Sequence, residues 1–120
     1  MTYGQQVLDD LRPETRELRK MIPDVYQGFG ALHGAAFAAG VLDTKTKELI
    51  ALAIAVSTQG DGCIASHARA AAKNGATLEE AAEAIGVTLL MGGGPSSIYA
   101  PRAYAAFVEF HEQIHGAPEA

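Results

Sequence analysis

The chain contains one cysteine and no block of basic residues, and each of these two shortages excludes a class of protein. A single cysteine cannot form a disulfide within the chain, which excludes a disulfide-stabilised scaffold and suits a reducing compartment. Nine Lys and Arg residues against fourteen Asp and Glu residues give a net charge of −5. Because nucleic-acid binding rests on basic surface, we do not expect this chain to bind nucleic acid.

Long apolar segments are also absent from the sequence. The longest apolar run covers residues 49–56, far too few to span a bilayer. The polar first twenty residues lack the apolar core of a signal peptide. We therefore expect a cytoplasmic protein that does not contact a membrane. Charged residues make up only 19% of the chain, which favours burial of apolar surface between subunits.

Abundant alanine and the lack of period-two alternation predict helices throughout a single domain, residues 1–120. We predict an all-α fold of six or seven helices. Pro13 is expected to split the first helical segment, residues 4–21, and Gly40 to cap the next helix. The run at 49–56 is apolar on every side, which is typical of a helix that is central in the domain or in an oligomer.

Further helix boundaries follow from local signals. Asp43 or Thr44 is expected to cap the helix that contains the apolar run. Thr77 and Glu80 match a capping box for a helix over about residues 78–91. The last helix is predicted over about residues 97–115, with Pro101 in its first turn.

Reactive side chains concentrate in the stretch TQGDGCIASH, residues 58–67. Cys63 follows the helix-breaking QGDG and is predicted at a helix N-terminus, where the helix dipole stabilises a thiolate. His67 lies on the same face one turn later and can take the thiol proton. Glu48 is the one charged residue at the start of the apolar run, where carboxylates are usually paired or proton-active. The competing interpretation is an inert, buried cysteine.

Two further residues are candidates for a substrate pocket. His33 lies in a helix rich in glycine and alanine and can point towards the same pocket as His67, although a structural histidine is the competing interpretation. Tyr99 follows the break at MGGGP and is the aromatic residue that we assign to the pocket. The neighbouring aromatic residues are expected to belong to the core or to a subunit interface.

Two sets of residues have the types or the spacing of metal ligands. His111 and His115 have the i, i+4 spacing of metal ligands, but no third ligand is evident. The set Glu48, Cys63 and His67 contains residue types that zinc accepts. We predict no metal and no cofactor.

Residues 22–110 resemble the superfamily of carboxymuconolactone decarboxylase and the alkylhydroperoxidase AhpD. The segments AAGVLDTKTKELIALA, GATLEE and MGGGPS carry the resemblance together with an active-site signature. That signature is Glu, eleven residues, then Cys-x-x-Cys-x-x-x-His. Glu48 matches its Glu, Cys63 its second Cys and His67 its His, whereas Gly60 stands at the position of the first Cys.

The resemblance implies an AhpD-like helical bundle that forms a homotrimer or a homohexamer, and a thiol-dependent peroxidase that reduces a hydroperoxide. Cys63 would be the nucleophile, His67 the base and Glu48 the proton relay. Because Gly60 cannot act as the resolving thiol, an external thiol reductant must reduce oxidised Cys63.

Two other functions stay open from the sequence. A lyase of the decarboxylase type would use His67 and Glu48 for acid–base chemistry on a lactone acid, with Cys63 incidental. Against this function, the sequence shows no evident arginine cluster for such a substrate, since only Arg69 and Arg102 lie in the later two-thirds of the chain. A non-catalytic oligomeric scaffold or binding protein would have lost its chemistry together with the first cysteine.

Overall fold

The computed structural model describes residues 3–116, and its regular structure over that range is entirely helical. The all-α fold predicted from the sequence is therefore confirmed, with six helices. They are α1 (Tyr3–Met21), α2 (Pro23–Phe37), α3 (Thr44–Thr58), α4 (Asp61–Lys73), α5 (Leu78–Gly92) and α6 (Gly94–His115). Over residues 3–116, no helix is long and apolar enough to cross a membrane.

Helix starts and stops that depend on local side chains lie where the sequence predicts them. Asp43 caps α3 by accepting a hydrogen bond from the backbone N–H of Thr46 at 2.8 Å. Thr77 and Glu80 form the reciprocal capping box of α5. Such caps satisfy backbone N–H groups that have no partner within the helix, so they fix where the helix begins.

The predicted proline breaks are wrong. Pro13 lies inside a continuous α1, and Pro101 lies inside α6, which begins earlier, at Gly94. A proline within a helix leaves the carbonyl four residues earlier without its N–H partner. Those carbonyls belong to Asp9 and Ser97, which are both exposed, so water can satisfy them and the helix continues.

Gly40 does not cap α2 as predicted, because α2 ends at Phe37 with Ala38 as its C-cap. Two side chains from α3 hydrogen-bond to the last carbonyls of α2 instead. The Thr44 hydroxyl donates to the Phe37 carbonyl at 2.8 Å, and the Lys47 ammonium donates to the Ala38 carbonyl at 2.6 Å. These side chains remove the need for a glycine at this helix end.

The core lies between α3, α4, α5 and α6, with α1 packed across α4 and α6. Its largest fully buried side chains are Leu52, Val56, Ile64, Phe107 and Phe110. The buried face of α4 consists mostly of alanine, and such small side chains let the neighbouring helices approach closely. This central helix also carries the candidate reactive residues.

The helix α2 packs differently from the others, since none of its residues is buried. Within residues 3–116 it makes small contacts with α1 and α3, and two of its aromatic side chains reach His67 on α4. Three large apolar side chains on it are about two-thirds exposed: Val25, Phe29 and Leu32. On α3, Ile50 and Ile54 are exposed, so this helix is central to the domain on one face, and its central position in an oligomer stays a prediction.

Candidate active site

Glu48 and His67 form a hydrogen-bonded pair across the contact between α3 and α4. His67 Nδ1 lies 2.7 Å from Glu48 Oε1, and the two side chains are 17% and 5% exposed. Glu48 belongs to the buried face of α3, which explains why a charged residue begins the apolar run. When Glu48 is ionised it accepts from Nδ1–H, which leaves Nε2 of His67 as a proton acceptor.

Two aromatic side chains of α2 cover His67. The ring centroid of Phe37 lies 5.4 Å from that of His67, and the centroid of His33 lies 6.4 Å away in a nearly parallel orientation. His33 and Phe37 also contact each other, at 4.6 Å between centroids. The structure thus brings His33, a predicted pocket residue, to the predicted base.

Cys63 is the third residue of α4 and is exposed. Its place in the first helical turn agrees with the sequence. Across residues 3–116 no hydrogen bond joins Cys63 to another side chain, and Nε2 of His67 has no hydrogen-bond partner either. Residues at i and i+4 lie about 5–6 Å apart at their Cβ atoms, so a small substrate can contact both groups.

Gly60 is the N-cap of α4 and faces Cys63 across the first turn. A β-carbon at Gly60 would lie 3.7 Å from the Cys63 Cβ and 3.9 Å from its sulfur. The backbone at Gly60 has φ −95° and ψ 100°, which any residue adopts. This position therefore has the geometry of a disulfide partner and lacks the sulfur.

A second polar cluster holds the N-terminus of α4 in place. Asp61, the first residue of α4, accepts a hydrogen bond from the Tyr3 hydroxyl and pairs with Arg102 at 3.2 Å. The Arg102 guanidinium lies 5.3 Å from the ring centroid of Tyr3 and 5.1 Å from that of Tyr99. Burial and the hydrogen bond to Asp61 raise the pKa of Tyr3 well above its ordinary value.

Tyr99 belongs to this second cluster. Its ring packs on Arg102, whereas the aromatic contacts of His67 come from α2. The predicted site residues therefore fall into two groups: Glu48, Cys63, His67 and His33 lie around the reactive helix face, and Tyr99 lies on α6 near α1. No sequence signal points to the Tyr3–Asp61–Arg102 contacts, because they join residues 58 and 41 positions apart.

Neither candidate metal site has the geometry for a metal ion. In the described part of the chain, no three His, Cys, Asp or Glu side chains are arranged to hold one. The rings of His111 and His115 instead pack against each other, with centroids 4.4 Å apart. Nδ1 of His67 is occupied by its hydrogen bond to Glu48.

The arginines do cluster, contrary to the sequence interpretation. Arg69 on α4 lines a groove of about 550 Å³ together with Arg12, Arg16 and Arg19 on α1. Packing of α1 on α4 brings these distant residues together.

The site residues lie within a segment that matches a known family. The family model of the carboxymuconolactone decarboxylase family matches residues 23–106, from the start of α2 into α6. The chain belongs to the carboxymuconolactone decarboxylase family. This confirms the resemblance that the signature around Cys63 indicated.

Solved structures of the family share the fold. A carboxymuconolactone decarboxylase family protein of Legionella pneumophila is 44% identical, with a TM-score of 0.87 over 90% of this chain and 96% of its own. A family protein of Thermotoga maritima, for which a role in antioxidative response has been suggested, is 26% identical. Its TM-score is 0.77 over 96% of this chain and 99% of its own. An uncharacterised protein of Cupriavidus necator is 36% identical over 107 aligned positions, and the match covers 78% of this chain and 95% of that relative.

Proposed function

We propose that the protein is a one-cysteine, thiol-dependent hydroperoxidase of the cytoplasm. The observation that carries the proposal is the buried Glu48–His67 hydrogen bond one helical turn behind an exposed thiol at a helix N-terminus. A nucleophile, a base and a group that orients the base form the arrangement used by enzymes that activate thiols. The antioxidative role suggested for the Thermotoga maritima family protein supports the same chemistry.

In the proposed reaction, the Cys63 thiolate attacks one oxygen of the O–O bond of a hydroperoxide. An S–O bond forms, the O–O bond breaks, and the other oxygen leaves as an alkoxide. His67 takes the thiol proton and delivers it to this leaving oxygen, while Glu48 stabilises the charged imidazole. The products are an alcohol and a sulfenic acid on Cys63.

Regeneration requires two molecules of an external thiol. The first condenses with the sulfenic acid to give a mixed disulfide and water. The second attacks that disulfide, releases the oxidised thiol dimer and restores Cys63. The external thiol is needed because Gly60 supplies no sulfur.

In the proposed assembly, the protein forms a homotrimer or homohexamer through α2 and its neighbours. Phe29 and Leu32 are 61% and 64% exposed, and Ile54 on α3 is 57% exposed. Full burial of one such side chain contributes about 1.5–3 kcal/mol, so a partner that covers several of them gains substantial stability. A second copy of the chain is the proposed partner.

The test of activity is peroxide consumption with a monothiol reductant by the wild type and by Cys63→Ser. We expect Cys63→Ser to abolish turnover and His67→Gln to reduce it at least a hundredfold. His111→Gln, which changes a histidine outside the site, is the matched control and should behave as wild type. Full activity in Cys63→Ser would refute the proposal. If the wild type converts a lactone acid, and His67→Gln loses this activity while Cys63→Ser keeps it, the lyase function is favoured.

The test of assembly is sedimentation equilibrium of the wild type, Leu32→Asp and Gln113→Glu. The wild type is expected to sediment as three or six chains. Leu32→Asp should shift the protein towards the monomer, because it places a charge in the apolar contact. Gln113→Glu adds the same charge at an exposed polar position and should leave the assembly unchanged. A monomeric wild type at micromolar concentration would contradict the proposal.

A further inference from the structure

The groove between α1 and α4 concentrates positive charge on an acidic protein. Four of the nine basic residues line it, although the whole chain has a net charge of −5. Arg12, Arg16 and Arg19 recur at helical spacing along α1, and Arg69 faces them from α4. The spacing of residues 12 and 19 spreads these side chains over about 10 Å along α1.

Most of this charge has no acidic partner among the residues that the structure describes. Among the ion pairs that residues 3–116 form, Arg12 is the one groove arginine that takes part, at 3.6 Å from Asp9 with both side chains about half exposed. Exposed pairs of this kind are weak. Arg19 instead packs on Tyr26, with 5.5 Å between its guanidinium carbon and the ring centroid. The like charges therefore repel each other until an anion enters.

The groove also has the size and the polar groups of a small-molecule site. Its volume of about 550 Å³ falls within the usual range for such sites. The hydroxyl-bearing residues Thr15 and Ser66 line it beside the arginines and can hydrogen-bond to anionic oxygens. Guanidinium groups bind carboxylates and phosphates through paired hydrogen bonds.

We infer that this groove is a binding site for a small molecule that carries at least two carboxylate or phosphate groups. Two or more anionic groups match the length of the arginine row on α1. The net charge of −5 on the whole chain repels an extended polyanion such as nucleic acid, so the ligand is a compact molecule.

The anion site is distinct from the Cys63 site and does not depend on the proposed peroxidase. On α4, Gly62, Ser66 and Arg69 face the groove, whereas Cys63 and His67 lie about 100° further around the helix. A second cavity, of about 640 Å³ between α1 and α2, shares Thr15 and Arg19 with the groove and is lined by His33. An anion bound beside Thr15 and Arg19 therefore lies next to the cavity that His33 lines, and the His33 ring contacts the ring of His67.

The test is isothermal titration calorimetry of the whole chain with citrate and with pyrophosphate at constant ionic strength. Acetate and chloride serve as single-charge controls. The double variant Arg16→Gln/Arg69→Gln removes one arginine from each wall. Its matched control, Lys20→Gln/Lys73→Gln, removes the same charge from the same two helices outside the groove. Arg16→Gln alone, at an exposed position, guards against a folding defect.

We expect saturable binding of citrate, pyrophosphate or both, and the tighter of the two identifies carboxylate or phosphate as the preferred group. The double arginine variant should bind about tenfold more weakly or worse, since each lost charge-assisted hydrogen bond weakens binding severalfold. Arg16→Gln should show a smaller loss, and the lysine control should stay within about twofold of wild type.

Three results would overturn the inference. Binding that does not saturate at millimolar concentration would show that no site exists. Equal losses in the arginine and lysine variants would show attraction to overall charge. Dissociation of an oligomer in the arginine variant, without anion binding by the wild type, would show that the groove holds acidic residues of a second copy.

Discussion

Gly60→Cys tests whether the first turn of α4 is a dithiol site that has lost one sulfur. The structure predicts that the new cysteine forms an intrachain disulfide with Cys63 on mild oxidation. A β-carbon at Gly60 lies 3.7 Å from the Cys63 Cβ, and disulfides have Cβ–Cβ distances of about 3.8 Å. No other atom restricts the position closely, since the next contact, with the Thr58 hydroxyl oxygen, is at 3.9 Å.

The expected effect on stability is modest because the closed loop is short. For the four residues from 60 to 63, the loop-entropy relation gives about 2 kcal/mol between the oxidised and reduced forms at 25 °C. The effect on turnover should be larger. An intramolecular thiol acts at a millimolar effective concentration or above, so it should resolve the sulfenic acid about tenfold faster than a submillimolar external thiol.

The assay combines mass spectrometry of the non-reduced peptide that spans residues 48–69 with peroxide turnover supported by a dithiol. Asn74→Cys is the control, because it adds an exposed thiol about 16 Å further along α4, out of bonding reach of Cys63. This control should form no intrachain bond and should not gain turnover.

Two results would refute parts of this reasoning. Absence of the intrachain disulfide would show that Gly60 does not correspond to the first cysteine of the signature. A disulfide without faster turnover would show that Cys63 does not pass through a sulfenic acid, and the lyase or scaffold interpretation would gain. Free thiol titration of both variants before oxidation confirms that the cysteines begin reduced.

Three further predictions concern individual residues. Glu48→Gln keeps a hydrogen-bonding group beside His67, so the free energy of unfolding should fall by about 1 kcal/mol at most. Peroxide turnover should fall at least a hundredfold, because the variant lacks the carboxylate charge beside His67. Unchanged turnover would exclude Glu48 from proton transfer. Thr77→Ala should lower the free energy of unfolding by about 1 kcal/mol in urea denaturation, and no change would mean that the capping box is not formed in solution. Hydrogen bonds from Lys45 and from the Thr77 backbone lower the pKa of Glu80 in the folded protein. The ionised Glu80 carboxylate therefore stabilises the fold above the pKa that Glu80 has in the unfolded chain, and this stabilisation is lost as the pH falls through the folded pKa. Between pH 7 and about pH 4, the free energy of unfolding should therefore fall less in Glu80→Gln than in the wild type. Equal decreases in the two proteins would contradict the lowered pKa of Glu80.

Helix ends followed from the sequence wherever a neighbouring side chain determines them. The caps at Asp43 and Thr77 are formed within three residues, so their signals are complete in the local sequence. The proline breaks were mispredicted because the cost of Pro13 and Pro101 depends on whether a particular carbonyl meets water. That exposure is a property of the folded chain.

The reactive residues also divide into those that local helix spacing brings together and those that only helix packing brings together. Cys63 and His67 share one helix, so the i, i+4 rule places them together without knowledge of the fold. Glu48 stood out as the charged start of an apolar run, but its hydrogen bond to His67 requires the packing of α3 on α4. The spacing of the arginines on α1 is local, but the groove also needs Arg69 on α4. The Tyr3–Asp61–Arg102 contacts likewise join helices far apart in sequence, so both features depend on helix packing.

The helix α2 links the proposed assembly to the proposed chemistry. It has no buried residue, yet His33 and Phe37 near its end form the aromatic cover of His67. Phe29 lies one helical turn before His33, so a subunit that packs on Phe29 also restricts the position of His33. In an isolated chain, the few contacts of α2 with α1 and α3 hold this cover weakly. The proposed oligomer would therefore complete the pocket around His67, and loss of assembly in Leu32→Asp should reduce turnover while leaving Cys63 accessible to alkylation.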